Sequence, residues 1–75
     1  MTSFQTKLQQ EFKSETQGQN PEPSMVEWMQ AKLRRANPNA AYSRRLAQYF
    51  CSLEEAPSDK EYQSTLAWIG LSHLL

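Results

Sequence analysis

Residues 24–53 read SMVEWMQAKLRRANPNAAYSRRLAQYFCSL, and the fold turns on how this stretch is divided. Ser24 followed three positions later by Glu27 is a capping-box pattern. The hydroxyl takes an orphan amide of a first helical turn while the carboxylate returns to the cap's own amide. Behind it Met25, Val26, Met29, Leu33 and Ala36 recur at helical spacing with Trp28 on the flank, so a helix is expected over 25–36. Asn37 before Pro38 ends it, because the residue before a proline avoids the helical region. The same pair starts the next helix, since Asn is a good cap and proline's missing N–H costs nothing at the first helical position. Tyr42, Leu46, Tyr49, Phe50 and Leu53 give that helix, 38–53, one apolar face. These methionines and aromatics read as core rather than as a cofactor box.

Working outward, Thr2 with Gln5 and Ser58 with Glu61 repeat the capping pattern and open helices over 3–16 and 59–74. Phe4, Leu8 and Phe12 form only a narrow stripe. The first helix is therefore expected to pack weakly and to be the most detachable, with the other three forming the core. QGQNPEP, residues 17–23, is the one linker, and EEAPS, residues 54–58, is the last turn. No segment alternates as a strand would. The expectation is an all-α protein, a small single domain over 1–75 of four short helices in orthogonal or bundle-like packing.

Size and composition exclude several classes of function. A chain of 75 residues is one domain at most, and a domain this small buries only about 60% of the surface its unfolded chain exposes. Eight Lys/Arg balance eight Asp/Glu, unlike a strongly basic non-specific nucleic-acid binder. The lone Cys51 allows no intramolecular disulfide and suits a reducing, cytoplasmic compartment. MTSFQTKLQQEFKSE has neither the basic start nor the apolar run of a secretory signal. LAWIGLSHLL, residues 66–75, is too short for a membrane span, which needs roughly 20 apolar residues. With Gly18 and Gly70 the only glycines, no phosphate-cradling loop can be built.

Chemistry of the catalytic kind finds little support. Cys51 has no base or cation one turn before it, only Ala47 and Gln48, and reads as unreactive. His73 sits near a helix C-terminus, where a cation meets the negative end of the dipole. Glu27 and Glu61 are capping residues, Asp59 lies in a first turn, and Glu54 and Glu55 lie in a loop. Neither enzyme activity, a metal, a cofactor nor a small-molecule substrate is expected.

Two surfaces remain for a partner. At about 100° per residue, Tyr62, Leu66 and Ile69 of the last helix point one way, and Trp68, Leu71 and Leu75 point almost the opposite way. The second stripe is expected to meet a partner protein or a second copy. Lys32, Arg34 and Arg35 close a helix, where cations are favoured. Arg44 and Arg45 have no carboxylate three or four residues away. Arg34, Arg35, Arg44 and Arg45 could form one basic surface across a tight turn. The main expectation is a small regulatory or adaptor protein that binds a protein, or itself, through Trp68, Leu71, Leu75 and these arginines. The alternative is a DNA-binding regulator whose third helix enters the major groove as in a helix-turn-helix. Asn39 and Ser43 would then read base edges while Arg44 and Arg45 touch phosphates.

Overall fold

The computed structural model describes residues 3–75. They form four α-helices, α1 (Phe4–Thr16), α2 (Met25–Ala36), α3 (Ala40–Ser52) and α4 (Lys60–Trp68), followed by a single 3₁₀ turn, Ser72–Leu74. The fold is all-α, and among the described residues there is no strand. No helix among them is long and apolar enough to cross a membrane. Principal extents of 34 × 33 × 18 Å make the molecule a slab, thin in one direction.

Each helix begins on a side-chain cap. Ser24 caps α2 as the capping pattern predicts, its hydroxyl accepting from the Glu27 amide at 3.1 Å. The other starts differ from expectation. The expected cap Thr2 lies outside the described residues, and Ser3 accepts from the Thr6 amide. Asn39, not Asn37, caps α3, accepting from the Tyr42 amide at 3.0 Å. The reason is that the Asn37 side-chain oxygen, Oδ1, is spent on the turn itself, where it accepts from the Asn39 amide at 3.0 Å. Pro38 thus lies in the turn rather than in the helix. Asp59 displaces Ser58 at the start of α4, accepting from the Glu61 amide at 2.8 Å. A carboxylate there also meets the positive end of the helix dipole.

The core draws on every element. Phe4 and Leu8 of α1, Trp28, Met29 and Leu33 of α2, Leu46, Ala47 and Phe50 of α3, Leu66 of α4, and Leu71 and Leu74 beyond it form one buried cluster. Complete burial of a Leu, Met or Phe side chain contributes about 1.5–3 kcal/mol of transfer free energy. A core built from the last three helices alone is therefore incomplete. The stripe of α1 is narrow but wholly used. α1 is also stitched in by polar contacts at both ends. Near its start the Gln5 amide donates to the Glu54 carbonyl and its Nε2 to the Cys51 carbonyl, both at 3.2 Å. Near its end Glu15 pairs with Lys32 of α2 at 2.8 Å. Phe12 meets the Trp28 ring edge-on, with centroids 5.5 Å apart. Trp28, expected on a flank, is buried.

The largest departure is at the C-terminal end. The expected helix over 59–74 stops at Trp68, and Gly70 adopts φ +81°. The Gly70 amide donates to the Ala67 carbonyl at 3.1 Å and the Leu71 amide to the Leu66 carbonyl at 2.8 Å. That pair of bonds is a Schellman motif, with glycine at the one position that demands a left-handed backbone. Its usual hydrophobic contact joins the residues that receive and make the bond spanning more of the chain. Here those are Leu66 and Leu71, and both are buried.

Candidate binding face

Reversal at Gly70 separates the side chains that a continuous helix would align. Leu71 is turned into the core and is 1% exposed, so it is not part of an outward stripe. Leu75 lies past the 3₁₀ turn at 45% exposure. Trp68, in the last turn of α4, is left 77% exposed. So large an apolar side chain in water is the most conspicuous surface feature of the molecule.

Trp68 stands between two depressions. One, of about 570 Å³, runs between α4 and the α2–α3 corner, and its walls include Leu33, Ala36, Tyr42, Lys60, Glu61 and Trp68. Ligand and peptide clefts fall in this size range. The second, of about 430 Å³, is lined by Lys32, Arg35, Ala36, Trp68 and Ile69. Ala36 and Trp68 belong to both. Tyr42, expected in the core, is 48% exposed and extends the aromatic surface. It leaves the core because the buried face of α3 runs through Ser43, Leu46, Ala47 and Phe50, with the Ser43 hydroxyl donating to the backbone carbonyl of Asn37 at 3.2 Å.

The two cations of the second depression differ. Lys32 is engaged, paired with Glu15 at 2.8 Å and lying 5.4 Å from the centroid of the Trp28 ring. Arg35 has no ion-pair partner among the described residues. A guanidinium without a carboxylate next to an exposed indole can accept a carboxylate and an apolar side chain together.

The four arginines are divided rather than pooled. Arg35 lies between the Trp68 depression and one lined by Glu15 and Glu27, whereas Arg44 and Arg45 line a shallow one with Gln30, Ala40, Ala41 and Gln48. Arg34, four residues after Gln30, shares that side of α2. Of the expected DNA contacts, Ser43 is fully buried and cannot meet a base. The side-chain oxygen of Asn39 is occupied as the cap of α3.

The remaining reactive groups are accounted for locally. Cys51 is half-buried against the core, and desolvation pushes its thiol up to about 11, which disfavours the nucleophilic thiolate. His73 contacts Glu11 of α1 through Nε2 at 3.1 Å, so it fastens the 3₁₀ turn to α1. Among the described residues no group of three or more His, Cys, Asp and Glu is placed to hold a metal ion.

Sequence reasoning put Trp68 outward and Arg35 on the partner surface, but it grouped Trp68 with the buried Leu71 and placed Tyr42 in the core. The signal was Gly70 followed by Leu71, a helix-stop pattern inside an apolar run. Comparison with protein-family models, with curated proteins and with solved structures found no match to this chain.

Proposed function

We propose that this protein acts without catalysis, as a small adaptor or regulatory module that binds another protein through the face centred on Trp68. The observation that carries this reading is the 77% exposed Trp68 between two depressions, with Tyr42 on one side and Arg35 on the other. Trp, Tyr and Arg are the residue types that dominate interface energetics, especially where they surround a pocket. The complementary partner is a segment that offers an apolar side chain to the groove and a carboxylate to Arg35. The reading commits to a different protein rather than to a second copy of the chain.

Affinity capture from the native cell, with the wild-type chain and with Trp68→Ala, tests the reading. A hot-spot tryptophan costs about 2 kcal/mol or more on truncation, roughly a 30-fold loss of affinity. A protein retained by the wild type should be lost with Trp68→Ala and with Arg35→Glu, and kept with Arg44→Glu. Identical catches from wild type and Trp68→Ala would refute the reading. Sedimentation of the isolated chain should give a monomer, and a dimer abolished by Trp68→Ala would move the assignment to self-association.

A further inference from the structure

Charge is segregated along this neutral chain. Residues 28–53 hold five of its eight Lys/Arg and none of its eight Asp/Glu, leaving three cations against eight acids in the remainder. Lys32 and Arg35 lie on the Trp68 side. Arg44 and Arg45 do not: they line the shallow depression floored by Ala40 and Ala41 and edged by Gln30 and Gln48, in which no acidic side chain takes part. Arg34 shares Gln30's side of α2. None of these three arginines has an ion-pair partner among the described residues.

The composition of this face discriminates between kinds of partner. A protein interface is anchored by buried aromatic or large aliphatic side chains, and here the only apolar groups are alanine methyls. A nucleic-acid surface is polar and cationic, with arginine for phosphates and guanine edges, glutamine for adenine, and small side chains that allow close approach. Ala41, Arg44, Arg45 and Gln48 follow one another at helical spacing along the outer side of α3, and all four are exposed. With 13 residues, α3 is about 20 Å long and, side chains included, about as wide as the major groove of B-form DNA, whereas that of A-form RNA is too narrow to admit it. Glu54 and Glu55 follow the end of α3 and would repel phosphates there. Contact is thereby confined to the part of α3 ahead of its last turn.

We propose that the outer side of α3, through Ala41, Arg44, Arg45 and Gln48 with Arg34 beside it, binds duplex DNA in the major groove, on a surface separate from that of Trp68. Arg44 and Arg45 are the contacts that sequence spacing suggests, whereas Ser43 faces inward and the exposed Gln48 takes its place as a base-reading side chain. This assignment does not depend on the protein-binding reading, because the two surfaces share no side chain.

Anisotropy of a labelled mixed-sequence DNA duplex, titrated with the full chain, provides the test. Three arginine–phosphate contacts give a log–log salt slope of about −2.7, so affinity should fall about 40-fold between roughly 50 and 200 mM salt. Arg44→Ala should remove one contact and reduce that loss to about 12-fold. Trp68→Ala should change neither value. Arg44 is exposed, so circular dichroism of its variant should match the wild type. Absence of duplex binding at the lower salt, or a salt dependence unaltered by Arg44→Ala, would overturn the proposal. So would equal binding of duplex RNA, or displacement of the duplex by polyglutamate as readily as by unlabelled duplex, which would assign the face to a carboxylate-rich protein.

Discussion

Replacing Gly70 by alanine separates two accounts of the C-terminal end by the sign of its effect. The residue sits at φ +81°, and a Cβ built there meets nothing within 4 Å, so the substitution has no steric component beyond backbone strain. Holding an L-residue in the left-handed region costs about 1–2 kcal/mol. Alanine's less flexible unfolded chain returns about 0.4–1 kcal/mol of this. The net expectation is a loss of about 1 kcal/mol, which for a domain of this size lowers Tm by about 4–8 °C. Were α4 continuous to residue 74, position 70 would be a helix interior, and Gly70→Ala would stabilise by about 0.8–1 kcal/mol. Gly70→Asn serves as a control, because asparagine tolerates the left-handed region better than alanine does. Thermal and urea unfolding followed by circular dichroism should rank the chains Gly above Asn above Ala, with an unchanged urea m-value. A more stable Gly70→Ala chain would refute the Schellman turn and restore the continuous stripe of Trp68, Leu71 and Leu75.

Other consequences follow from burial. Leu71→Ala should cost about 2–5 kcal/mol in urea unfolding, as for any fully buried leucine, while Trp68→Ala should stay within about 0.5 kcal/mol of wild type. Comparable losses for both would place Trp68 in the core. Cys51, with its thiol raised from 9.0 to about 11, should react with a thiol reagent near pH 8 about 100-fold more slowly than a free cysteine, and at the ordinary rate once unfolded. The same shift has a sign in stability. As pH rises above 9.0 the unfolded chain ionises its thiol before the folded chain can, so this stabilising contribution is complete below pH 9.0 and lost towards about 11. Cys51→Ser should therefore show a shallower alkaline decline than wild type. In hydrogen exchange, amides from Leu8 to Phe12 should be protected to within about tenfold of those from Leu46 to Phe50, and markedly earlier exchange would mean that α1 opens by itself.

What was legible in the sequence was local. Ser24 with Glu27, and the apolar spacing of α2 and α3, specify those helices with no knowledge of their neighbours, and the all-α fold follows. Errors arose where two local solutions compete. Asn37 and Asn39 are both good caps, and the choice depends on which side-chain oxygen closes the turn around Pro38. Ser58 and Asp59 compete in the same way, and the charged residue adjacent to the helix takes the cap. For α1, the number of apolar positions does not reveal how deeply they are buried, and Phe4 and Leu8 are buried as fully as the core of α3. Gly70 had more effect on the candidate site than any other residue. An uninterrupted helical wheel placed Leu71 beside Trp68, whereas one left-handed residue sends it to the opposite environment. The proximity of Arg35 to Trp68 is a tertiary fact with no signature in either helix.

Amide–indole correlation spectra would test whether Trp68 anchors a protein-binding face. The isolated chain should show two indole N–H signals, one from exposed Trp68 that exchanges rapidly with water and one from buried Trp28 that does not. On titration with the protein captured by the wild-type chain, the Trp68 signal should shift and become protected while that of Trp28 stays in place. A bound complex in which the Trp68 indole neither shifts nor gains protection would contradict the account.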